Sequence, residues 1–122
     1  MSLKQAQIEI EDEDIVYRRV RKDQIDENGN PMVKAFALRI LNNVPESYLS
    51  VNLSEHITPE LAIGDKEVFE LFKFEVSVPR RIKLGVAHSP TQKDYSHSAV
   101  CGFFNEDKSE TLAESSEKIV LT

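Results

Sequence analysis

Asp94-Tyr95-Ser96-His97-Ser98-Ala99-Val100-Cys101-Gly102-Phe103-Phe104 runs a polar loop carrying a histidine straight into a dense apolar segment. A short apolar run that follows turn residues reads as a strand covered on both faces, so His97 to Phe104 is expected to lie centrally in a sheet. The loop from Ser89 to Asp94 would then hold His97 at the strand's entry, a common place for a functional side chain.

Working outward, Asp14 to Val20 alternates as a strand, with Ile15 and Tyr17 on one face and Val16, Arg18 and Val20 on the other. Asp26-Glu27-Asn28-Gly29-Asn30-Pro31 marks a chain reversal, because Asn-Gly tolerates positive φ and proline cannot donate to a ladder. Val33 to Leu41 is nearly continuously apolar and is read as a strand, with a short helix as the alternative. Tyr48 to Leu53 is clearer: Leu49, Val51 and Leu53 face a core while Tyr48, Ser50 and Asn52 face away.

Thr58-Pro59-Glu60 opens a very short helix that Gly64 closes. Helical spacing over Val68, Phe69, Leu71 and Phe72 gives way to alternation over Phe72, Phe74, Val76 and Val78, which places a turn-to-strand boundary near Leu71. Ser77 reads as the cap of a single helical turn that begins near Pro79 and is ended by Gly85, before a strand at Val86 to His88, in competition with one strand from Arg81 to His88. Leu112, Ala113, Ser116, Ile119 and Val120 recur at helical intervals and predict a closing amphipathic helix from about Ser109.

The expected fold class is α+β: a single domain over residues 1–122, mostly antiparallel sheet, with a C-terminal amphipathic helix and one or two short helices. Residues 1–7 are polar and, with Ile8 and Ile10 alternating with acids, read as a frayed tail or a weak edge strand. A chain of 122 residues, 40% apolar and 30% charged, can bury one core but not two.

Fifteen basic against twenty-one acidic residues give a net charge of -6, which argues against nucleic acid as the main partner. The charges are segregated: acids at Glu9 to Asp14, bases at Arg18 to Lys22, and bases again at Arg80, Arg81 and Lys83. The single Cys101 cannot form an internal disulfide and points to a reducing compartment. No apolar run approaches the roughly 20 residues of a membrane span, so a cytoplasmic, unanchored protein is expected.

His97 leads the candidates for chemistry, as an acid or base that Asp94 would orient. Arg18 and Arg19 follow. Consecutive residues on a strand face opposite ways, so one guanidinium must enter an ion pair or an anion pocket on the core side. Ser50 lies on a polar strand face, but no Gly-x-Ser-x-Gly elbow surrounds it. His56, His88 and His97 lack any metal-binding spacing, so neither a metal nor a cofactor is expected.

The order of Arg18, Ser50 and Glu60 or Glu67 resembles the arginine, serine and acid with which ADP-ribosyltransferase-like folds hold nicotinamide dinucleotide. Two functions stand against each other. The leading one is a non-catalytic accessory domain that binds a protein partner or itself, using Arg80, Arg81 and Lys83 as a steering patch. The alternative is an enzyme or binding domain for an anionic, nucleotide-like ligand, with Arg18, Arg19 and Ser50 as binding residues and His97 with Asp94 as acid or base. It requires those side chains to share one pocket.

Overall fold

The computed structural model describes residues 8–121. The tail or edge strand expected over residues 1–7 lies outside the described residues.

The first strand, β1 (Ile15–Arg21), follows from its β-branched and aromatic content. The reversal after it is built around Asp26, whose Oδ1 accepts the N–H groups of Asn28 and Asn30, both at 2.9 Å. The chain then departs from expectation. Val33–Phe36 is a 3-10 turn, and the rest of the apolar run enters a small hairpin of β2 (Ile40–Leu41) and β3 (Val44–Pro45). Ala35 and Phe36 are adjacent and both buried, which a turn laid across a sheet face achieves with one covered side. The hairpin reverses at Asn42 and Asn43, with φ of 53° and 65°, the positive values that a two-residue turn requires.

Strand β4 (Leu49–Leu53) buries alternate residues as its pattern demands. Helix α1 (Pro59–Ile63) begins with Thr58, whose Oγ1 accepts the Leu61 N–H at 3.3 Å, has proline in its first turn and stops at Gly64 with φ 67°. Strand β5 (Phe69–Glu75) starts two residues before the expected boundary. Helix α2 (Ser77–Arg81) and strand β6 (Gly85–His88) realise the turn-then-strand reading, with Ser77 inside the helix and not capping it, and β7 (His97–Cys101) follows the polar loop but stops three residues short of Phe104, leaving Phe103 exposed.

The closing helix α3 (Glu106–Ser115) starts earlier than Ser109, because Asn105 caps it by accepting the Lys108 N–H at 2.8 Å. It also ends sooner. Ile119 belongs to an edge strand, β8 (Glu117–Ile119), paired with β5, where Ile119 lies opposite Leu71 and Lys118 bridges Glu70 at 3.0 Å.

The class is α+β, with one six-stranded antiparallel sheet in the order β6-β7-β4-β1-β5-β8. One sheet face carries the main core: Val16, Val20, Leu49, Val51, Leu53, Phe72, Phe74 and Val100, roofed by Phe36, Val78, Leu84 and Leu112. Ile8 closes one border of that core, its N–H donated to Nδ1 of buried His88 at 2.9 Å. The opposite face is covered only in part. Ala62 and Ile63 of α1 seal Leu71, Tyr17 and Ile119 into a second, smaller cluster. On β4 and β7 the same face carries Ser50, Asn52 and His97.

Candidate functional site

The register between β1 and β4 is short: Val16 lies opposite Leu53 and Tyr17 opposite Asn52. Beyond Tyr17 the two strands part, while β1 continues along β5 as far as Arg21 opposite Phe69. The Arg18 guanidinium fills the opening. Its Nη1 donates to the Ser50 carbonyl at 3.0 Å, in place of a backbone rung, and its Nε and Nη2 donate to the Ala35 carbonyl at 3.2 and 3.0 Å. Three of its five N–H groups are thus used, and two remain.

Strand parity sends Arg18 toward the main core and Arg19 toward the other face, yet both line one pocket of about 430 Å³ because the strands separate there. Ser50, Asn52, Asp94 and His97 line it too, joined by Arg21, Lys34, Arg39, Glu46 and Phe69. The five residues nominated from sequence as ligand-binding or catalytic therefore meet in one cavity.

Arg18 is the electrostatic anomaly of the site. An inward arginine is expected to form an ion pair, but among the described residues Arg18 forms none and binds backbone carbonyls instead. Burial pulls its pKa down to about 10, with Glu46 resisting the fall and Arg39 and Arg19 adding to it. Glu46 is already committed. It takes Arg39 in a two-pronged bridge at 3.1 and 3.1 Å and accepts the Arg39 N–H at 2.8 Å. These hydrogen bonds hold the Glu46 carboxyl below its usual range and raise the Arg39 guanidinium.

Arg19 lies over the Phe69 ring, 4.8 Å from its centroid, and Arg21 is bridged to Asp23 at 3.3 Å. Arg18, Arg19 and Lys34 thus line the pocket with no ion-pair partner among the described residues. Against them stands one carboxylate not paired with a cation, Asp94. Its oxygens accept from Asn52 Nδ2 at 2.7 Å and from the N–H and hydroxyl of Ser96 at 3.0 and 2.5 Å.

Asp94 does not orient His97. The His97 Nδ1 lies 2.7 Å from the Ser89 carbonyl, and a carbonyl only accepts, so the ring proton sits on Nδ1. Nε2 is left as the acceptor, 3.4 Å from Ser50 Oγ. The Tyr48 ring meets the imidazole edge to face, with centroids 5.9 Å apart. Asp94 shapes the loop instead, and lines the pocket beside Asn52, whose Nδ2 donates to it.

The remaining candidates lie elsewhere. Glu60 and Glu67 do not line the pocket, so the acid of the ADP-ribosyltransferase-like order is supplied by neither. Arg80 is not free to steer a partner: its Nη1 donates to Asp12 at 2.5 Å and its Nη2 to the Ile10 carbonyl at 2.6 Å, tying the N-terminal segment to α2. Arg81 and Lys83 are exposed. Among the described residues no group of three His, Cys, Asp or Glu side chains is placed to hold a metal ion, and no helix is long and apolar enough to cross a membrane.

Sequence reasoning missed Lys34, Arg39 and Glu46: the first two lie in the run Val33 to Leu41 read as a strand, and Glu46 follows the second strand of the hairpin. The signal was Asn42-Asn43 between two apolar pairs. No protein-family model, curated protein or solved structure matches this chain.

Proposed function

We propose that this protein binds a small ligand bearing anionic oxygens, a phosphate or a carboxylate, in the pocket where β1 and β4 part. One observation carries the reading: Arg18 is a half-buried cation that spends its hydrogen bonds on backbone carbonyls and forms no ion pair among the described residues, while the nearby carboxylate, Glu46, is committed to Arg39. Burying a charge costs several kcal/mol unless an opposite charge offsets it, and perturbed groups in a cleft commonly mark ligand sites. An incoming anion supplies what Arg18 lacks. Arg19 and Lys34 extend the positive lining in a chain whose net charge is -6, so the attraction is local to the pocket.

Titration calorimetry with sulfate, and a thermal-shift series with phosphate and adenosine monophosphate, test this. One saturable site is expected, weakened on the order of ten- to a hundredfold in Arg18→Met, since a hydrogen bond to a charged group contributes about 1.5–3 kcal/mol. Equal affinity in wild type and variant would refute it.

A second reading, docking of a protein partner, is favoured by the hairpin. Ile40, Leu41 and Val44 are 72%, 51% and 64% exposed on adjoining positions of β2 and β3. Replacing Ile40 and Val44 with Lys leaves the core untouched, so a change in complex formation or solution size, with unchanged stability, would support it. The single thiol, Cys101, is consistent with a reducing, cytoplasmic setting.

A further inference from the structure

Resting on the anion-binding reading, we infer that Ser50 and His97 form a nucleophile and base that cleave esters whose acyl part carries a second, anionic group. The tautomer comes first. The Ser89 carbonyl holds the Nδ1 proton at 2.7 Å, so the lone pair of Nε2 faces Ser50 Oγ at 3.4 Å. A base held in one tautomer beside a hydroxyl, and oriented by a third group, is the arrangement that activates serine for attack. The carbonyl of Ser89 takes the orienting place that a carboxylate often holds. Separations of this size are usual without substrate and shorten when it binds.

Position supports the assignment. The Ser50 hydroxyl is on the open sheet face and lines the pocket, while its own carbonyl accepts from Arg18. The nucleophile and the Arg18 guanidinium are therefore fixed to the same residue. A substrate whose second anion pairs with the basic lining would bring its ester carbonyl to Ser50.

The Ser50 oxygen attacks the carbonyl carbon and its proton passes to His97 Nε2. The bond to the leaving alcohol breaks, and that oxygen takes the proton from Nε2. Water then attacks the acyl-serine, giving its proton to Nε2. The Ser50 oxygen leaves and recovers that proton, so the products are one acid and one alcohol.

The experiment uses 4-nitrophenyl hydrogen succinate against 4-nitrophenyl acetate, with fluorophosphonate labelling read by peptide mass spectrometry and sulfate affinity measured in parallel. The expected result is labelling of Ser50, faster turnover of the succinate ester, and loss of both in Ser50→Ala. His97→Gln lowers turnover on the order of 10²–10⁴-fold. Sulfate affinity read in the same variants separates loss of chemistry from loss of the pocket. Turnover that survives Ser50→Ala, or a wild type that binds sulfate yet neither labels nor turns over, overturns the catalytic assignment alone. A wild type that does not bind sulfate overturns the anion-binding reading and the catalytic assignment with it.

Discussion

The guanidinium of Arg18 grips the carbonyl of Ala35 twice, through Nε at 3.2 Å and Nη2 at 3.0 Å, and so fastens the 3-10 turn Val33–Phe36 to the gap between β1 and β4. Lysine has one ammonium and cannot reproduce this fork while also reaching Ser50. Arg18→Lys is expected to lower stability by about 1–3 kcal/mol, the cost of leaving a polar group without its partner. Urea denaturation with an unchanged slope checks it; a midpoint equal to wild type would show that the fork contributes nothing.

The lowered pKa of Arg18 sets a pH window. A base with a folded pKa of about 10, below its ordinary value, loses its proton first in the folded chain. At neutral pH it is charged in both states and its burial opposes folding. Its contribution to stability therefore rises with pH between those two values. Anion binding runs the other way, since the charged form is the one that binds. Sulfate keeps its charge across this range, and its affinity is expected to fall as pH rises through about 10 in a Lys34→Gln background, where calorimetry reads Arg18 without that second base. Constant affinity up to pH 11 would place the anion elsewhere.

Gly64 leaves room for the Arg19 guanidinium. A Cβ built there would stand 2.8 Å from Arg19 Nη1, and the residue's φ of 67° is itself strained for any side chain. Gly64→Ala should cost on the order of 1–3 kcal/mol and displace Arg19 from the Phe69 ring, which the ring-proton shifts of Phe69 would report. Unmoved Phe69 resonances would contradict that placement.

Arg80 and Arg81 are adjacent but not equivalent. Arg80→Ala frees Asp12 and the Ile10 carbonyl and should lower stability by about 1–3 kcal/mol, with faster amide exchange in the N-terminal segment. Arg81→Ala changes an exposed side chain and should stay within about 0.5 kcal/mol of wild type. Equal losses in the two variants would contradict the assignment.

Elements whose local chemistry and long-range packing agree were legible in the sequence. Strand β4 alternates because one face is buried, α1 has its threonine cap, early proline and terminal glycine, and the Asn28-Gly29 reversal is closed by Asp26. Val33 to Leu41 was not. A continuous apolar run says that residues are buried but not whether both sheet faces or one crossing turn buries them, and only the packed position of Ala35 and Phe36 decides. Ile119 and Val120 fall at helical spacing from Leu112 by coincidence, and pairing with β5 overrides that period.

The site divides in the same way. Arg18, Arg19 and Ser50 could be nominated because strand parity gives each a definite facing, and His97 because an imidazole at a strand's entry can carry a proton. Their convergence could not, since it depends on β1 and β4 separating after Tyr17. Asp94 was nominated for nearness in sequence to His97, but the ring is held by the Ser89 carbonyl across the loop. Ser50 needed the register with β7 to reveal the imidazole beside it.

The most direct measurement is an NMR titration of the wild-type protein with sulfate, following the Arg18 side-chain Nε–H and the Ser50 amide beside the exposed Arg81 side chain. The expected result is saturable shifts at Arg18 and Ser50 with one dissociation constant, and no saturation at Arg81. Shifts spread evenly over the exposed arginines, with Arg18 unmoved, would contradict an anion site at the parting of β1 and β4.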